Sequence, residues 1–160
     1  MRKLVVISQT GAGDAVGVCG DVVLVSYVSP SLDEAFSRFV PLFEKAPRDR
    51  AIALMVLIGA SVRSSFDESR DRLLHLFKDR PYPIRAAATV LLGNGFRAAG
   101  HRASVARFRN LLSPDHPSEI FGDIRSAASF LARHVADPTA DDIAAAALRL
   151  PRSDELTPDR

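Results

Sequence analysis

Side chains that could act as nucleophiles, general bases or metal ligands are few and scattered in this sequence. Cys19 is its one cysteine, and no Gly-x-Ser-x-Gly segment marks an exposed catalytic serine. The histidines have neither the i,i+4 spacing nor the Cys-x-x-Cys context that favours a metal site; they are His75, His101, His116 and His134. Paired carboxylates at Asp33-Glu34, Asp67-Glu68 and Asp141-Asp142 fall in the first turns of predicted helices, where the helix dipole accounts for them. The sequence therefore predicts a non-catalytic protein without a metal or cofactor.

One segment has the features of an anion site. Gly93-Asn94-Gly95 presents backbone N–H groups at the start of a predicted helix, and Arg97 and Arg102 follow it. Such N–H groups bind anions, so Asn94, Gly95, Arg97 and Arg102 are candidates for an anion site or for a surface that binds an acidic partner. The competing interpretation is a tight strand-to-helix turn beside solvated arginines, which general turn chemistry favours.

Two continuous apolar runs, over residues 51–58 and 86–92, predict strands buried on both faces near the centre of a sheet. A segment of helix length separates them, which predicts a right-handed crossover and a parallel pair. Gly20-Asp21 predicts a two-residue type II′ hairpin, because glycine takes a positive φ at the first turn position. Further strands are predicted at 4–8, 15–19, 22–28 and 118–121. The predicted fold class is α/β, a single-layer mixed β-sheet of about five strands with helices packed on it.

Apolar periodicity and capping residues predict the helices. Ser31 opens a helix over 31–46 that is kinked at Pro41, Ser65 caps a second helix, and a third covers 96–112. Asp123 can cap a fourth helix, and Thr139 can cap a short alanine-rich helix over 139–150. Residues 1–136 are thus predicted to form the α/β domain, and residues 137–160 a short C-terminal helix and a flexible polar tail.

Composition narrows the class of protein. The 160 residues are 47% hydrophobic and 25% charged, as expected for a single globular domain. The net charge is only +2 and the basic residues are interleaved with acidic ones, which argues against a nucleic-acid partner. A lone cysteine indicates a reducing compartment, and no apolar run is long enough for a secretion signal or a membrane span. We therefore expect a cytoplasmic protein.

The chain resembles the anti-sigma-factor antagonist (STAS) superfamily and its lipid-binding-like members. The resemblance lies in the order of the predicted elements and in two sequence segments. Glu119-Ile120-Phe121-Gly122-Asp123, followed by Ala127-Ala128 and Phe130-Leu131, is similar to the family's final strand and helix. Arg63-Ser64-Ser65-Phe66 follows the 51–58 strand at about the place where antagonists carry Asp-Ser-Ser-Gly with a phosphorylatable serine. Here Arg63 and Phe66 replace the acidic residue and the glycine. The resemblance covers roughly residues 17–136.

This resemblance implies a STAS-like regulatory or protein-interaction module, with Ser64 or Ser65 as a phospho-switch. A phosphate there would meet the free N–H groups of a helix start, but Asp67 and Glu68 would oppose its charge. The competing interpretation makes Ser65 a simple N-cap, since serine is among the preferred N-cap residues.

Two alternative functions come from other classes. The first is binding of a small molecule or lipid in an apolar cavity between sheet and helices, near Phe36, Phe39 and Phe43. The second and weaker alternative is an enzyme whose catalytic residues form no recognisable motif.

Overall fold

The computed structural model describes residues 2–9, 14–27, 52–59, 84–93 and 116–151. Its strands are β1 (Val5–Gln9), β2 (Ala15–Cys19), β3 (Val22–Tyr27), β4 (Ile52–Ile58), β5 (Ile84–Leu91) and β6 (Ser118–Phe121). Two helices follow, α1 (Ile124–Ala132) and α2 (Ala140–Arg149). The predicted helices over 31–46, from Phe66 and over 96–112 lie outside the described residues.

The six strands form one mixed sheet in sequential order, from β1 to β6. Strands β1, β2 and β3 are antiparallel neighbours, whereas β3, β4, β5 and β6 run parallel to one another. The predicted α/β class and the mixed sheet are confirmed, with six strands in place of about five.

β4 and β5 are adjacent parallel strands, as the two apolar runs predicted. The middle of the six-stranded order lies between β3 and β4, so the central position predicted for both runs is correct for β4 and wrong for β5, which is next to the edge strand β6. Ala87 and Thr89 of β5 are accordingly only half-buried. Leu54 lies opposite Ala87 and Val56 opposite Thr89, in continuous register toward the carboxyl ends. Side chains of β4 are buried on both faces of the sheet, Met55 and Leu57 on one and Leu54 and Ile58 on the other. β5 begins at Ile84, two residues before the predicted start at residue 86.

The turn between β2 and β3 is the predicted two-residue hairpin. Cys19 pairs with Val22, and Gly20 takes a φ of +57°. None of the described non-glycine residues has a positive φ, so Asp21 satisfies the type II′ pattern at the second turn position. Gly20 is required here for a further reason, because a Cβ would lie 2.9 Å from Cδ of Pro138. The hairpin therefore packs directly against the segment that precedes α2.

Both described helices begin at the predicted caps. The carboxylate of Asp123 accepts a hydrogen bond from the backbone N–H of Ser126, and the hydroxyl of Thr139 accepts one from the N–H of Asp142. These bonds satisfy N–H groups that a helix start otherwise leaves free.

The helices share one apolar core with the sheet. α1 packs on β5, β6 and β4, and α2 packs on α1 and β2. The two helices and the C-cap of α2 contribute buried side chains to this core. These residues are Ala127, Ala128, Phe130, Leu131, Ile143, Ala146, Ala147 and Leu150. Small residues face each other across part of this contact, with Ala86 and Ala88 of β5 in the same cluster as Ala127 and Ala128. The short helix over 139–150 therefore belongs to the same core as the strands.

Candidate functional site

The carboxyl ends of β3, β4, β5 and β6 meet at one edge of the sheet, which we call the carboxyl rim. Tyr27 pairs with Ile58, and Ile58 pairs with Leu91. Beyond the paired residues, the N–H of Leu92 donates a 2.9 Å hydrogen bond to the carbonyl oxygen of Ile58. The carboxyl ends of β4 and β5 therefore lie side by side at this edge. In open α/β sheets, binding sites form at this edge.

The candidate site residues belong to these two segments but lie outside the described residues. Ser64 and Ser65 follow β4, and Asn94, Gly95, Arg97 and Arg102 follow β5. The structure locates where each segment begins. Gly59 is buried at the end of β4, whereas Gly93 is exposed after β5 and has a φ of +112°. That φ favours glycine at this position. The rest of the predicted turn, Asn94 and Gly95, lies outside the described residues.

The start of α1 also lies at the carboxyl rim, directly after β6. Both carboxylate oxygens of Asp123 are engaged by Ser126, at 2.8 Å from its backbone N–H and 2.8 Å from its hydroxyl. The hydrogen bond from the Ser126 backbone, followed by that from its hydroxyl, lowers the pKa of Asp123 below the usual carboxyl value. An anionic side chain of the protein itself therefore occupies this helix start.

Two buried polar residues at the same edge were not singled out by the sequence. Ser26, next to the end of β3, is 1% exposed and lies between Ala15 and Leu57 in the neighbouring strands. Its hydroxyl has no hydrogen-bond partner among the described residues. Asp14, just before β2, is 4% exposed. The sequence features that could have indicated them are a serine near the end of an otherwise apolar strand and an aspartate after a glycine-rich turn.

A second polar cluster lies at the opposite edge, around the start of α2. One carboxylate oxygen of Asp142 accepts the N–H of Arg2 at 3.1 Å, and the other accepts the hydroxyl of Thr139 at 2.9 Å. The guanidinium of Arg2 forms an ion pair with Asp137. The contacts of this cluster join the N-terminal segment to the start of α2. We therefore interpret the cluster as a structural element.

Cys19 borders that cluster and is fully buried. Its thiol donates a long hydrogen bond, 3.8 Å, to the carbonyl oxygen of Asp142. Burial raises the pKa of the Cys19 thiol, and the negative charges of Asp142 and Asp137 raise it further. A thiol held in its protonated form is a poor nucleophile.

The described residues contain no group of three or more His, Cys, Asp or Glu side chains placed to bind a metal ion. Of the histidines, His116 and His134 are described and both are half-buried, whereas His75 and His101 lie outside the described residues. Phe36, Phe39 and Phe43, the residues of the alternative apolar cavity, also lie outside them.

Comparison of the chain with protein-family models, with curated proteins and with solved structures finds no significant match. Neither α1 nor α2 has the length and apolar character needed to cross a membrane.

Proposed function

We propose that this chain is a non-catalytic regulatory module of the STAS-like type, which binds a protein partner at the carboxyl rim. Ser64 or Ser65 is its phospho-switch, and the segment containing Asn94, Gly95, Arg97 and Arg102 is part of the partner surface. The observation that carries the proposal is the hydrogen bond from the Leu92 N–H to the Ile58 carbonyl oxygen. Because of this bond, β4 and β5 end at adjacent positions of the carboxyl rim, and the two candidate segments follow those strand ends.

The switch has a simple electrostatic basis. A phosphoserine adds a charge of about −1.5 to −2 near neutral pH and brings three strong acceptor oxygens. Arg97 and Arg102 belong to the segment that leaves the neighbouring strand, so their charges suit a phosphate on Ser64 or Ser65. Phosphorylation would then change the charge of the surface at the carboxyl rim to which a partner binds.

Site-specific photo-crosslinking tests the partner surface. A photoreactive residue is placed at Asn94, and the matched control places it at Arg149, an exposed residue on α2. In lysate of the native host, we expect a discrete crosslinked protein from position 94 and none of the same mass from position 149. The double variant Ser64→Glu and Ser65→Glu should change the yield at position 94, whereas Ser129→Glu, on the exposed face of α1, should leave it unchanged. Equal crosslinking from both positions, or none from position 94, contradicts a partner surface at the rim.

A further inference from the structure

Exposed apolar side chains of the described residues are concentrated on one edge of the sheet. β1 is the edge strand, and its consecutive residues Val5, Val6 and Ile7 are 60%, 43% and 45% exposed. Among the described residues, Leu148 on α2 is the one other large apolar side chain that is exposed. Val5 and Val6 point to opposite faces of the sheet, because successive side chains of a strand alternate. Both faces of β1 are therefore open at once.

This pattern of exposure suits an added strand. A helix or a small molecule lies against one face of a sheet and would cover Val5 or Val6 but not both. A strand added beside β1 contributes side chains to both faces and pairs with the backbone groups of the edge. Residues 4–9 also contain no charged residue and no proline, which are the features that commonly block such pairing at sheet edges.

We propose that the added strand is β1 of a second copy of this chain, running antiparallel to the first across a two-fold axis. With the axis at Val6, that residue lies opposite Val6 of the second copy, and Val5 lies opposite the second copy's Ile7. Cross-strand pairs of β-branched side chains stabilise a sheet. The sheets of the two copies then form one continuous sheet, at the edge opposite β6.

The charges around β1 favour this antiparallel arrangement. Lys3 is exposed immediately before the strand, whereas the guanidinium of Arg2 is engaged by Asp137. At the other end of the strand, residues 8–13 carry no charge. An antiparallel pair places each Lys3 beside the uncharged Gln9 of the other copy, whereas a parallel pair would bring the two lysines together. The net charge of +2 adds little repulsion between copies.

Two features of β1 make this association weak. The register with β2 shifts between Val6 and Ser8, which leaves Ile7 without a residue opposite it in β2, and such a bulge bends the strand. A stable interface also buries about 800 Å² on each partner, more than one five-residue strand provides. We therefore expect a dimer that forms reversibly as the protein concentration rises.

Sedimentation velocity of the full chain at increasing concentration tests the dimer. We expect a reversible equilibrium between monomer and dimer. Val5→Lys should weaken the association about tenfold, because the two contacts between Val5 and Ile7 across the axis are lost. Leu148→Lys, at a residue of similar exposure on α2, is the matched control and should leave it unchanged. Thermal unfolding verifies that both variants are folded.

Disulfide formation tests the position of the axis separately. Residues directly opposite each other in an antiparallel pair have Cα atoms about 4.5–5.5 Å apart, within the range for a disulfide. We expect Val6→Cys to form a linked dimer faster than Leu148→Cys, and Cys19 does not compete because it is 0% exposed.

Four results would overturn the proposal. These are a monomer at every concentration, assemblies larger than a dimer, equal weakening by Val5→Lys and Leu148→Lys, and equal rates of disulfide formation from positions 6 and 148.

Discussion

Truncation of Ile143 to alanine tests whether α2 is an integral part of the core. Ile143 is 0% exposed and belongs to the cluster that contains Leu24, Met55 and Leu131. Truncating a buried isoleucine to alanine removes buried apolar atoms and leaves a cavity, at a cost of about 2–5 kcal/mol. For a chain of this size, each 1 kcal/mol lowers the Tm by about 2–4 °C, so we expect a decrease of about 4–20 °C.

Leu148→Ala is the matched control on the same helix. Leu148 is 57% exposed, and a surface change of this kind alters the free energy of unfolding by about 0.5 kcal/mol or less. Urea unfolding followed by circular dichroism, together with thermal scans, measures both variants. Equal, small shifts for Ile143→Ala and Leu148→Ala would refute the packing of α2 into the sheet, as would unfolding of α2 in a separate transition.

Three further predictions concern the polar contacts around α2. Thr139→Ala should lower the free energy of unfolding by about 1 kcal/mol through loss of the N-cap, and Thr139→Ser should preserve it in urea titrations. The Cys19 thiol should react slowly with a thiol reagent at alkaline pH and rapidly in urea, since burial raises its pKa; fast reaction of the native chain would contradict this. The pKa of Asp142 is lowered in the folded state, chiefly by the hydrogen bond from the Thr139 hydroxyl. The ionised Asp142 carboxylate therefore stabilises the folded protein at pH values above the usual carboxyl pKa. This stabilisation is lost as the pH falls through the pKa that Asp142 has in the folded state. Asp142→Asn should therefore lose less stability than the wild type on acidification; identical pH profiles would count against the role of Asp142.

The elements that local sequence specifies were predictable. The apolar runs of β4 and β5 predicted adjacent parallel strands, and Gly20-Asp21 predicted the hairpin. Asp123 and Thr139 were recognised as caps because a cap needs one side chain and the backbone N–H groups two or three residues beyond it.

Features that depend on distant contacts were harder to predict. Arg2 meets Asp142 and Asp137 across almost the whole chain, and no local pattern indicates such a pairing. The burial of Ser26 and Asp14 likewise follows from neighbouring strands and not from their own segments. Ile143, Ala146, Ala147 and Leu150 do have the i,i+3,i+4,i+7 spacing of a helix that packs on a core, which is a signal for the docking of α2.

Mass spectrometry of the full chain purified from its native host is the most direct test of the proposed phospho-switch at the carboxyl rim. Phosphopeptides are mapped before and after incubation with host lysate and ATP, and Ser64→Ala with Ser65→Ala serves as the negative control. We expect phosphate on Ser64 or Ser65 and its loss in the double alanine variant. Peptides that cover both serines and carry no phosphate under either condition would contradict the switch.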